Sequence, residues 1–345
     1  MKSRPGANCP NLRYMQRMRR RFLIPALIVQ LCAICVPAFA ATCAPLKIIS
    51  SVQLMSSPDE REMFVPVSLQ GQKKYMLLDT GGALDQITPQ TAAALNLKSY
   101  QTPTLRSYDL GGNYVDQATI VPDFTIGNLV GHNVSFVVGP DRRFADQPNV
   151  AGILGPGILR FYDVAVDFGA RTLALISPDH CEGKVVYWAA QKVAVIPIEV
   201  LRASGHIIVP VTLNGRSITA MLDTGSDTTY LSLTAARNDL NVELPVMLRF
   251  QRLVMPYLYR FASLDFGGVA AMNPVIEIIP ELGRGPRLSS PSGSRVPDGQ
   301  TERLPDMLIG MDILRHLHLY IAYSEQKLYV TSSSVPAAVV EAPRG

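Results

Sequence analysis

The chain has 345 residues, of which 48% are hydrophobic and 17% charged, and it contains 26 prolines and 25 glycines. This length accommodates two domains of ordinary size, and the composition is typical of a globular protein with many short strands and turns. Seven bases and no acids precede residue 41; removing those seven from the 32 bases leaves 25 against 28 acids. Without this segment the net charge of +4 disappears, so nothing indicates a nucleic-acid partner.

Residues 1–40 have the pattern of a secretory signal peptide with an N-terminal extension. The basic cluster Arg17–Arg21 precedes an apolar run from Phe22 to Val36, and Ala38-Phe39-Ala40 offers small residues for cleavage. The alternative is a membrane anchor, but this run of 15 residues is short for a span, which needs about 20. We therefore predict cleavage after Ala40, a periplasmic or secreted protein, and no stable membrane span in the mature chain.

The first strands of the mature chain lead to an aspartate loop. The segment 64–71 ends in Gln70-Gly71, a moderate hairpin signal, and the next apolar run stops at Leu77-Leu78-Asp79-Thr80-Gly81. The apolar residues predict a buried strand, and glycine permits a sharp turn directly after it. Such a turn leaves the carboxylate of Asp79 at the end of a rigid element.

Four further segments with predicted structure follow before the first half of the chain ends. Thr88 and Pro89 predict the N-cap and first residue of a short helix that runs to about Leu95. The segment 108–114 predicts a hairpin with a mobile Gly-Gly tip, and the segment 124–138 predicts a second hairpin. Beyond them, the segment 153–175 predicts a strand, a glycine, a short helix and a final two-stranded hairpin.

The second half of the chain repeats the first. A shift of 144 residues, from Asp79 to Asp223, places the segment 208–215 on 64–71 without a gap. A shift of 155 residues, from Ile153 to Leu308, extends an ungapped match as far as Val330. Two long matches in the same order predict a duplicated domain.

The two halves differ in ways that bear on function. Residues 250–261 have no Gly-Gly tip, so we expect one main glycine-tipped hairpin, in the first half. The segment 282–305 is rich in Gly, Ser, Pro and Arg, which favours a tolerated flexible loop over a cleft cover or a processing site. Pro156-Gly157 stands where the second half has Met311-Asp312, which indicates that the first half has diverged.

On these residues the chain resembles the retropepsin-like aspartic proteases of the pepsin and retropepsin clan, as two tandem copies fused in one chain. The two Asp-Thr-Gly loops, each followed by an apolar-apolar-Gly segment, carry a resemblance that covers residues 46–178 and 191–333. It implies an all-β, two-lobed acid-protease fold, in which each lobe is a closed barrel with one or two short helices and a pseudo-twofold axis relates the lobes. The expected domains are the signal peptide with its extension (1–40), lobe 1 (41–178), the inter-lobe linker (179–190), lobe 2 (191–333) with the insertion 282–305, and the tail (334–345).

The resemblance implies that Asp79 and Asp223 form a catalytic dyad. Two carboxylates a few ångströms apart cannot both ionise easily, so they share a proton, and their two apparent pKa values belong to the pair. One takes a proton from a water molecule and the other donates a proton to the substrate carbonyl, with no metal or other cofactor. The residues expected to support the dyad are Thr80, Gly81, Gly82, Thr224, Gly225 and Ser226.

The resemblance also implies particular roles for these supporting residues. Thr80 and Thr224 are expected to hydrogen-bond across the axis between the lobes. Ser226 is expected to donate a hydrogen bond to Asp223, whereas Gly82 has no side chain to offer Asp79. The two carboxylates would then be unequally supported.

Substrate would bind in a cleft between the lobes, under a flap. The family's flap corresponds to the hairpin near residues 106–116, and its candidate contacts are Tyr108, Gly111, Gly112 and Tyr114. A plain surface hairpin is the alternative.

Asp227 is a further candidate contact, because retroviral members keep an aspartate there that touches the substrate backbone. Met311 replaces its usual arginine partner, so either Arg315 pairs with Asp227 or Asp227 is solvated.

Removal of the signal peptide leaves two cysteines, Cys43 and Cys181. Export permits a disulfide between them that would staple the base of lobe 1, and two unpaired thiols are the alternative. The five histidines are scattered without the spacing of metal ligands, so we predict no metal site.

These observations predict an aspartic endopeptidase, a hydrolase that acts on peptide or protein substrates as a monomer. The alternative is a protease-fold protein with weak or no catalysis that binds peptides. Gly82 and Pro156-Gly157 favour this alternative, whereas the retention of both aspartates with both threonines favours the enzyme.

Overall fold

The computed structural model describes residues 43–102, 107–108, 114–139, 144–188, 193–202, 204–244, 257–279 and 305–333. All of them belong to one compact unit, Cys43–Gly345. The predicted signal peptide (1–40), the tail 334–345, the tip glycines Gly111 and Gly112, and all of the insertion 282–305 except its last residue lie outside the described residues.

The described residues are almost entirely strands and the turns between them. The strands of the first half are β1 (Ile48–Gln53), β2 (Met55–Ser56), β3 (Met63–Leu69), β4 (Gln72–Leu78), β5 (Gln86–Ile87), β6 (Ser99–Gln101), β7 (Ser107–Tyr108), β8 (Tyr114–Val115), β9 (Gln117–Ile126), β10 (Leu129–Val138), β11 (Val150–Leu154), β12 (Asp163–Asp167) and β13 (Thr172–Ile176). Those of the second half are β14 (Ala194–Pro197), β15 (Glu199–Val200), β16 (Ile207–Leu213), β17 (Arg216–Leu222), β18 (Tyr230–Ser232), β19 (Tyr257–Arg260), β20 (Ser263–Asp265), β21 (Ala270–Met272), β22 (Val275–Ile279), β23 (Met307–Ile309), β24 (Leu317–Ala322) and β25 (Lys327–Ser332).

Four short helices complete the described elements: α1 (Pro89–Ala94), α2 (Pro156–Leu159), α3 (Leu233–Asn238) and α4 (Met311–Leu314). Thr88 caps α1 by accepting a hydrogen bond from the Thr91 N–H at 3.1 Å, and Pro89 is its first residue, as predicted. Ser232 caps α3 in the same way, from the Ala235 N–H at 3.1 Å. No helix in the described ranges is long and apolar enough to cross a membrane.

Lobe 1 is a closed barrel. Its strands follow the order β3-β4-β11-β5-β10-β9, and the pairing of β9 with β3 closes the ring. The predicted hairpin between β3 and β4 is confirmed, with Gln70 at φ 49° and Gly71 at φ 79°. Two successive residues with positive φ are typical of the type I′ turn, whose twist matches that of the flanking strands.

Lobe 2 repeats this order but is interrupted. The hairpin at Asn214-Gly215 is confirmed, yet the described strand path runs β19-β22-β18-β23-β17-β16-β20-β21 and stays open. Here β19 with β20 replaces the long β9, and β21 with β22 replaces β10. The interruption lies at Asn273-Pro274, where Pro274 has no N–H to donate to the ladder. The expected closed barrel is therefore found in lobe 1, and lobe 2 is a curled open sheet.

A third sheet joins the lobes and crosses the expected boundary between them. Its order is β1-β13-β12-β24-β25-β14, with three strands from each half of the chain. The junction is the antiparallel pair β12–β24, in which Val164 lies opposite Ile321. The sequence repeat did not predict this pairing, which fixes the two lobes against each other through backbone hydrogen bonds.

Candidate active site

Each aspartate follows directly on a buried central strand. Asp79 comes after β4, and its N–H donates to Leu154 O of the parallel neighbour β11 at 3.0 Å. Asp223 comes after β17, and its N–H donates to Ile309 O of β23, also at 3.0 Å. The β4 and β17 positions just before the aspartates, Leu78 and Leu222, are 0% and 1% exposed. Apolar packing therefore anchors both loops in the same way.

Backbone N–H groups bind one oxygen of each carboxyl group. Asp79 Oδ1 accepts from the N–H of Gly81 at 3.0 Å and of Gly82 at 2.7 Å. Asp223 Oδ1 accepts from the N–H of Gly225 at 2.9 Å and of Ser226 at 3.1 Å. Because a carboxyl oxygen with two donors has little freedom to rotate, the two loops hold their carboxyl groups in matching orientations.

The two loops meet closely across the lobe boundary. A Cβ placed on Gly81 would lie 2.2 Å from Cγ of Asp223, and one on Gly225 would lie 2.3 Å from Cγ of Asp79. Only glycine fits at these two positions. Each Gly thus lets the carboxyl group of the opposite lobe approach its own backbone.

The electrostatics of the pair favour a shared proton. Burial raises the pKa of Asp223 well above its ordinary value, and the charge of Asp79 and a hydrogen bond with Asp79 raise it further. The N–H groups of Gly225 and Ser226 oppose this shift in pKa without cancelling it. The arrangement favours one proton shared between two carboxyl groups, which places an acid and a base side by side.

Thr80 and Thr224 connect the loops, as the resemblance implied. The Thr80 hydroxyl donates to Leu222 O at 2.8 Å and accepts from the Thr224 N–H at 3.2 Å. The Thr224 hydroxyl donates to Leu78 O at 2.8 Å and accepts from the Thr80 N–H at 3.0 Å. Both side chains are buried, so water does not compete for these four bonds.

The structure corrects the expectation for Ser226. Its hydroxyl donates to Thr228 O at 2.8 Å instead of to Asp223, while its backbone N–H reaches Asp223 Oδ1. The carbonyl within the same turn is the local acceptor, and Asp223 Oδ1 already has two N–H donors. Since Gly82 also supplies its N–H to Asp79, the predicted inequality between the two carboxyl groups is not found in these backbone contacts.

Asp227 does not pair with Arg315. The Arg315 guanidinium donates to Asp59 O at 3.1 Å, whereas the Asp227 side chain is exposed. Of the two alternatives, the structure has the solvated one. Burial raises the pKa of Glu277, and the negative charge of Asp227 raises it further. The two carboxyl groups are therefore close enough to interact.

The stem of the expected flap is a two-stranded hairpin. Ser107 pairs with Val115 and Tyr108 pairs with Tyr114 in antiparallel backbone contacts. Gly111 and Gly112 lie outside the described residues, as do the side chains of Tyr108 and Tyr114.

Sequence reasoning missed His206, a buried neighbour of the dyad loop. It is 5% exposed, hydrogen-bonds the backbone of Gly81, and its Nε2 has no partner among the described residues. Burial lowers the pKa of His206 to about 4, against the smaller effect of the Gly81 bond. A lone histidine ahead of a strand carries no sequence signal that could have revealed this contact.

Cys43 and Cys181 form a disulfide, with their Cα atoms 4.8 Å apart. It ties the start of lobe 1 to the segment after β13, across 138 residues of chain. The described ranges contain no group of three or more His, Cys, Asp or Glu side chains that could hold a metal ion.

Two aspartate loops from two similar lobes, joined by threonines, have the arrangement that the resemblance to aspartic proteases implied. A family model described as "Aspartyl protease" matches residues 65–156 and 209–313, which together make up more than half of the chain. The chain belongs to this aspartyl protease family. Both catalytic-loop candidates, Asp79 and Asp223, fall inside the matched segments.

The solved structures that match this chain share little sequence identity with it. The aspartic proteinase from Irpex lacteus is 14% identical, with a TM-score of 0.48 over 84% of this chain and 99% of that one. Basic 7S globulin from soybean is 10% identical, with a TM-score of 0.44 over 86% of this chain and 97% of that one. Neither likeness supports an argument about activity or substrate. Comparison with curated protein sequences gives no significant match.

Proposed function

We propose that this protein is an aspartic endopeptidase, with Asp79 and Asp223 as its catalytic dyad. The observation that carries the proposal is the contact between two carboxyl groups, each held through Oδ1 by two backbone N–H groups. Because burial and the charge of Asp79 raise the pKa of Asp223, the pair favours a state with one proton and one negative charge. An acid and a base are then available at the same place.

The proposed reaction needs only a water molecule and the dyad. The charged carboxyl group takes a proton from water as the water oxygen bonds to the carbonyl carbon of the peptide. The protonated carboxyl group gives its proton to the carbonyl oxygen, which forms a tetrahedral diol. The C–N bond then breaks as the amine nitrogen gains a proton and the second diol hydroxyl loses one to the dyad, which leaves a carboxylic acid and an amine.

An extended peptide in the cleft between the lobes is the proposed substrate. The hairpin β7–β8 would close over it as the flap, and Asp227, which is exposed on the aspartate loop of lobe 2, would contact the peptide backbone. Asp227 and the nearby Glu277 would make this side of the proposed cleft acidic.

The proposal is tested with a mixed peptide library incubated with the purified protein from about pH 3 to about pH 7. The wild type should cleave internal peptide bonds, and mass spectrometry identifies the products. Asp79→Asn and Asp223→Asn should each lower the rate by about 10³-fold or more, because one carboxylate is lost from the acid–base pair. Ser226→Ala is the matched control: it keeps the backbone N–H that Asp223 accepts and should remain active. Cleavage that persists in both Asn variants would contradict the proposal.

The alternative is a binding protein without turnover. An inhibitor with a statine-type hydroxyl separates the two functions, because a protonated dyad binds that hydroxyl between its carboxyl groups. Binding that weakens at least tenfold in Asp223→Asn, at unchanged thermal stability, supports the enzyme. A folded wild type that binds peptides but neither cleaves them nor discriminates the hydroxyl would support the binding protein.

We further propose that the protein is exported and acts as a monomer. The basic and apolar pattern of residues 1–40 and the disulfide Cys43–Cys181 support export, since disulfides persist in oxidising compartments. One chain supplies both aspartates, so no second copy is needed for the dyad. N-terminal sequencing of protein recovered outside the cytoplasm should begin at Ala41, and sedimentation should give the mass of one chain.

A further inference from the structure

Behind the aspartate loop of lobe 1 lies a second buried carboxyl group, Asp85. It is 8% exposed and follows Asp79 by six residues. Its Oδ1 accepts a hydrogen bond from the N–H of Gly155 at 2.8 Å, and the N–H of Ile158 also donates to it. Asp85 therefore ties the aspartate loop to the turn between β11 and α2.

Lobe 2 makes the same connection with different residues. By the repeat, Thr229 occupies the position of Asp85 and Asp312 occupies the position of Gly157. Thr229 Oγ1 accepts from the N–H of Gly310 at 3.0 Å and donates to Asp312 Oδ1 at 2.5 Å. The glycine N–H at the strand-to-helix turn is thus bound by an oxygen from the same loop position in both lobes.

The two arrangements are mutually exclusive within one lobe. A Cβ on Gly157 would lie 2.1 Å from Oδ2 of Asp85, so no larger residue fits beside that carboxyl group. Two aspartates at these positions would collide and repel each other. A threonine with a glycine would leave the buried polar groups short of partners. Each lobe therefore has room for one carboxyl group, on either side of the contact.

In each lobe, two hydrogen bonds connect this contact to the aspartate of the dyad: one to the N–H of the turn glycine, and one between the residue before that glycine and the aspartate. Gly155 follows Leu154, whose carbonyl accepts the N–H of Asp79, and Gly310 follows Ile309, whose carbonyl accepts the N–H of Asp223. Pro156 has no N–H, so lobe 1 cannot form the counterpart of the bond from Met311 N–H to Ser226 O at 2.8 Å. The hydrogen bonds to Asp85 therefore make up a larger share of the bonds between the aspartate loop and the turn in lobe 1.

We propose that Asp85 and Asp312 are equivalent positioning residues, exchanged between two facing positions, that each hold the aspartate loop of their lobe in register with its strand-to-helix turn. The inference rests on the proposed function, since the loops are positioned for the dyad. The inference also explains Pro156-Gly157, which stands where lobe 2 has Met311-Asp312. Lobe 1 supplies the corresponding carboxyl group from Asp85 instead of from the position of Gly157.

The test is a swap of the two positions in lobe 1. Asp85→Thr alone should lower kcat about tenfold with little change in KM, and should lower Tm by roughly 5 °C, because one hydroxyl oxygen can accept the Gly155 N–H but leaves the buried Ile158 N–H without its acceptor. Gly157→Asp alone should be at least as damaging, because it places two carboxyl groups in one site. The double variant rebuilds the Thr229–Asp312 arrangement and should recover kcat to within about threefold of the wild type.

A purely structural role predicts a different result, namely recovery of Tm by the double variant without recovery of kcat. That result, or a double variant no better than the sum of its single changes, would overturn the inference. An activity-independent measurement separates it from the proposed function: the ¹³C carboxyl titration of Asp79 and Asp223 should change in each single variant and return in the double variant. If the wild type cleaves no peptide, the proposed function fails, and this titration still decides whether the exchange positions the loops.

Discussion

Thr80 and Thr224 each use one hydroxyl group to bind two backbone groups of the opposite lobe. Thr80 Oγ1 lies 2.8 Å from Leu222 O and 3.2 Å from Thr224 N, and Thr224 Oγ1 forms the equivalent pair of bonds. The partners flank Asp79 and Asp223 in sequence. The distance between the carboxyl groups of Asp79 and Asp223 is therefore set by contacts on either side of each aspartate.

Replacing either threonine by valine should weaken both stability and activity. Valine has nearly the same shape but leaves a buried N–H and a buried C=O without partners, at about 1–3 kcal/mol each. We expect Thr80→Val and Thr224→Val to lower kcat/KM at least tenfold. Thr→Ser at the same positions is the control, because it keeps the hydroxyl group. Valine variants that equal the serine variants in Tm and kcat/KM would contradict the role given to these bonds.

Gly81→Ala should abolish most activity while leaving the fold intact. Its new Cβ would lie 2.2 Å from Cγ of Asp223, so that carboxyl group must move out of its hydrogen-bonded position. A displacement of this kind costs about 10²-fold in rate. Gly71→Ala should behave oppositely: it lies in an open hairpin turn at φ 79°, so it should lose about 1 kcal/mol of stability and no activity. Equal rates for the two variants would refute the argument from close approach.

Asp85 should contribute more to the stability of the folded state in acid than at neutral pH. Burial raises the pKa of Asp85 from 3.8 to about 7, so the folded state binds its proton more tightly than the unfolded chain does. This contribution is fully present below about pH 4 and is lost as pH rises through about 7, a change of about 4 kcal/mol. Asp85→Asn should remove it. Urea unfolding at several pH values measures the difference, and a variant with the same pH dependence as the wild type would contradict the assignment.

His206 should have the opposite effect over nearly the same range of pH. Its pKa falls from 6.5 to about 4, because burial disfavours the charged ring. Its stabilising contribution is therefore complete above about pH 6.5 and is lost as pH falls through about 4, a change of about 3 kcal/mol. His206→Asn keeps an N–H for the Gly81 backbone but cannot titrate. The unfolding free energy of the wild type minus that of the variant should become smaller as the pH falls. A difference that is independent of pH would contradict the lowered pKa of His206.

The sequence predicted those features that depend on neighbouring residues or on the repeat. Gln70-Gly71 and Asn214-Gly215 predicted their turns, Thr88 and Pro89 predicted the start of a helix, and the repeated Asp-Thr-Gly identified the two loops. The pairing of β12 with β24 joins segments more than 150 residues apart, and no local pattern encodes it.

The same reason explains what was missed or misassigned at the site. The contact of His206 with Gly81 and the fit of Asp85 against Gly157 arise only when distant segments pack together. The Ser226 hydroxyl could reach either of two acceptors, and only the geometry of its turn selects Thr228 O. Gly157 looked like divergence because its partner at position 85 could not be identified from the sequence.

The most direct test of the account is the pH dependence of kcat/KM for one cleaved peptide, measured for the wild type and for Asp223→Asn. The account predicts a bell-shaped profile for the wild type, with two apparent pKa values that belong to the dyad, because activity requires one proton on two carboxyl groups. Asp223→Asn should lower the rate about 10³-fold or more and remove the bell shape. A variant that keeps the profile and the rate of the wild type would show that the two aspartates do not act as a pair.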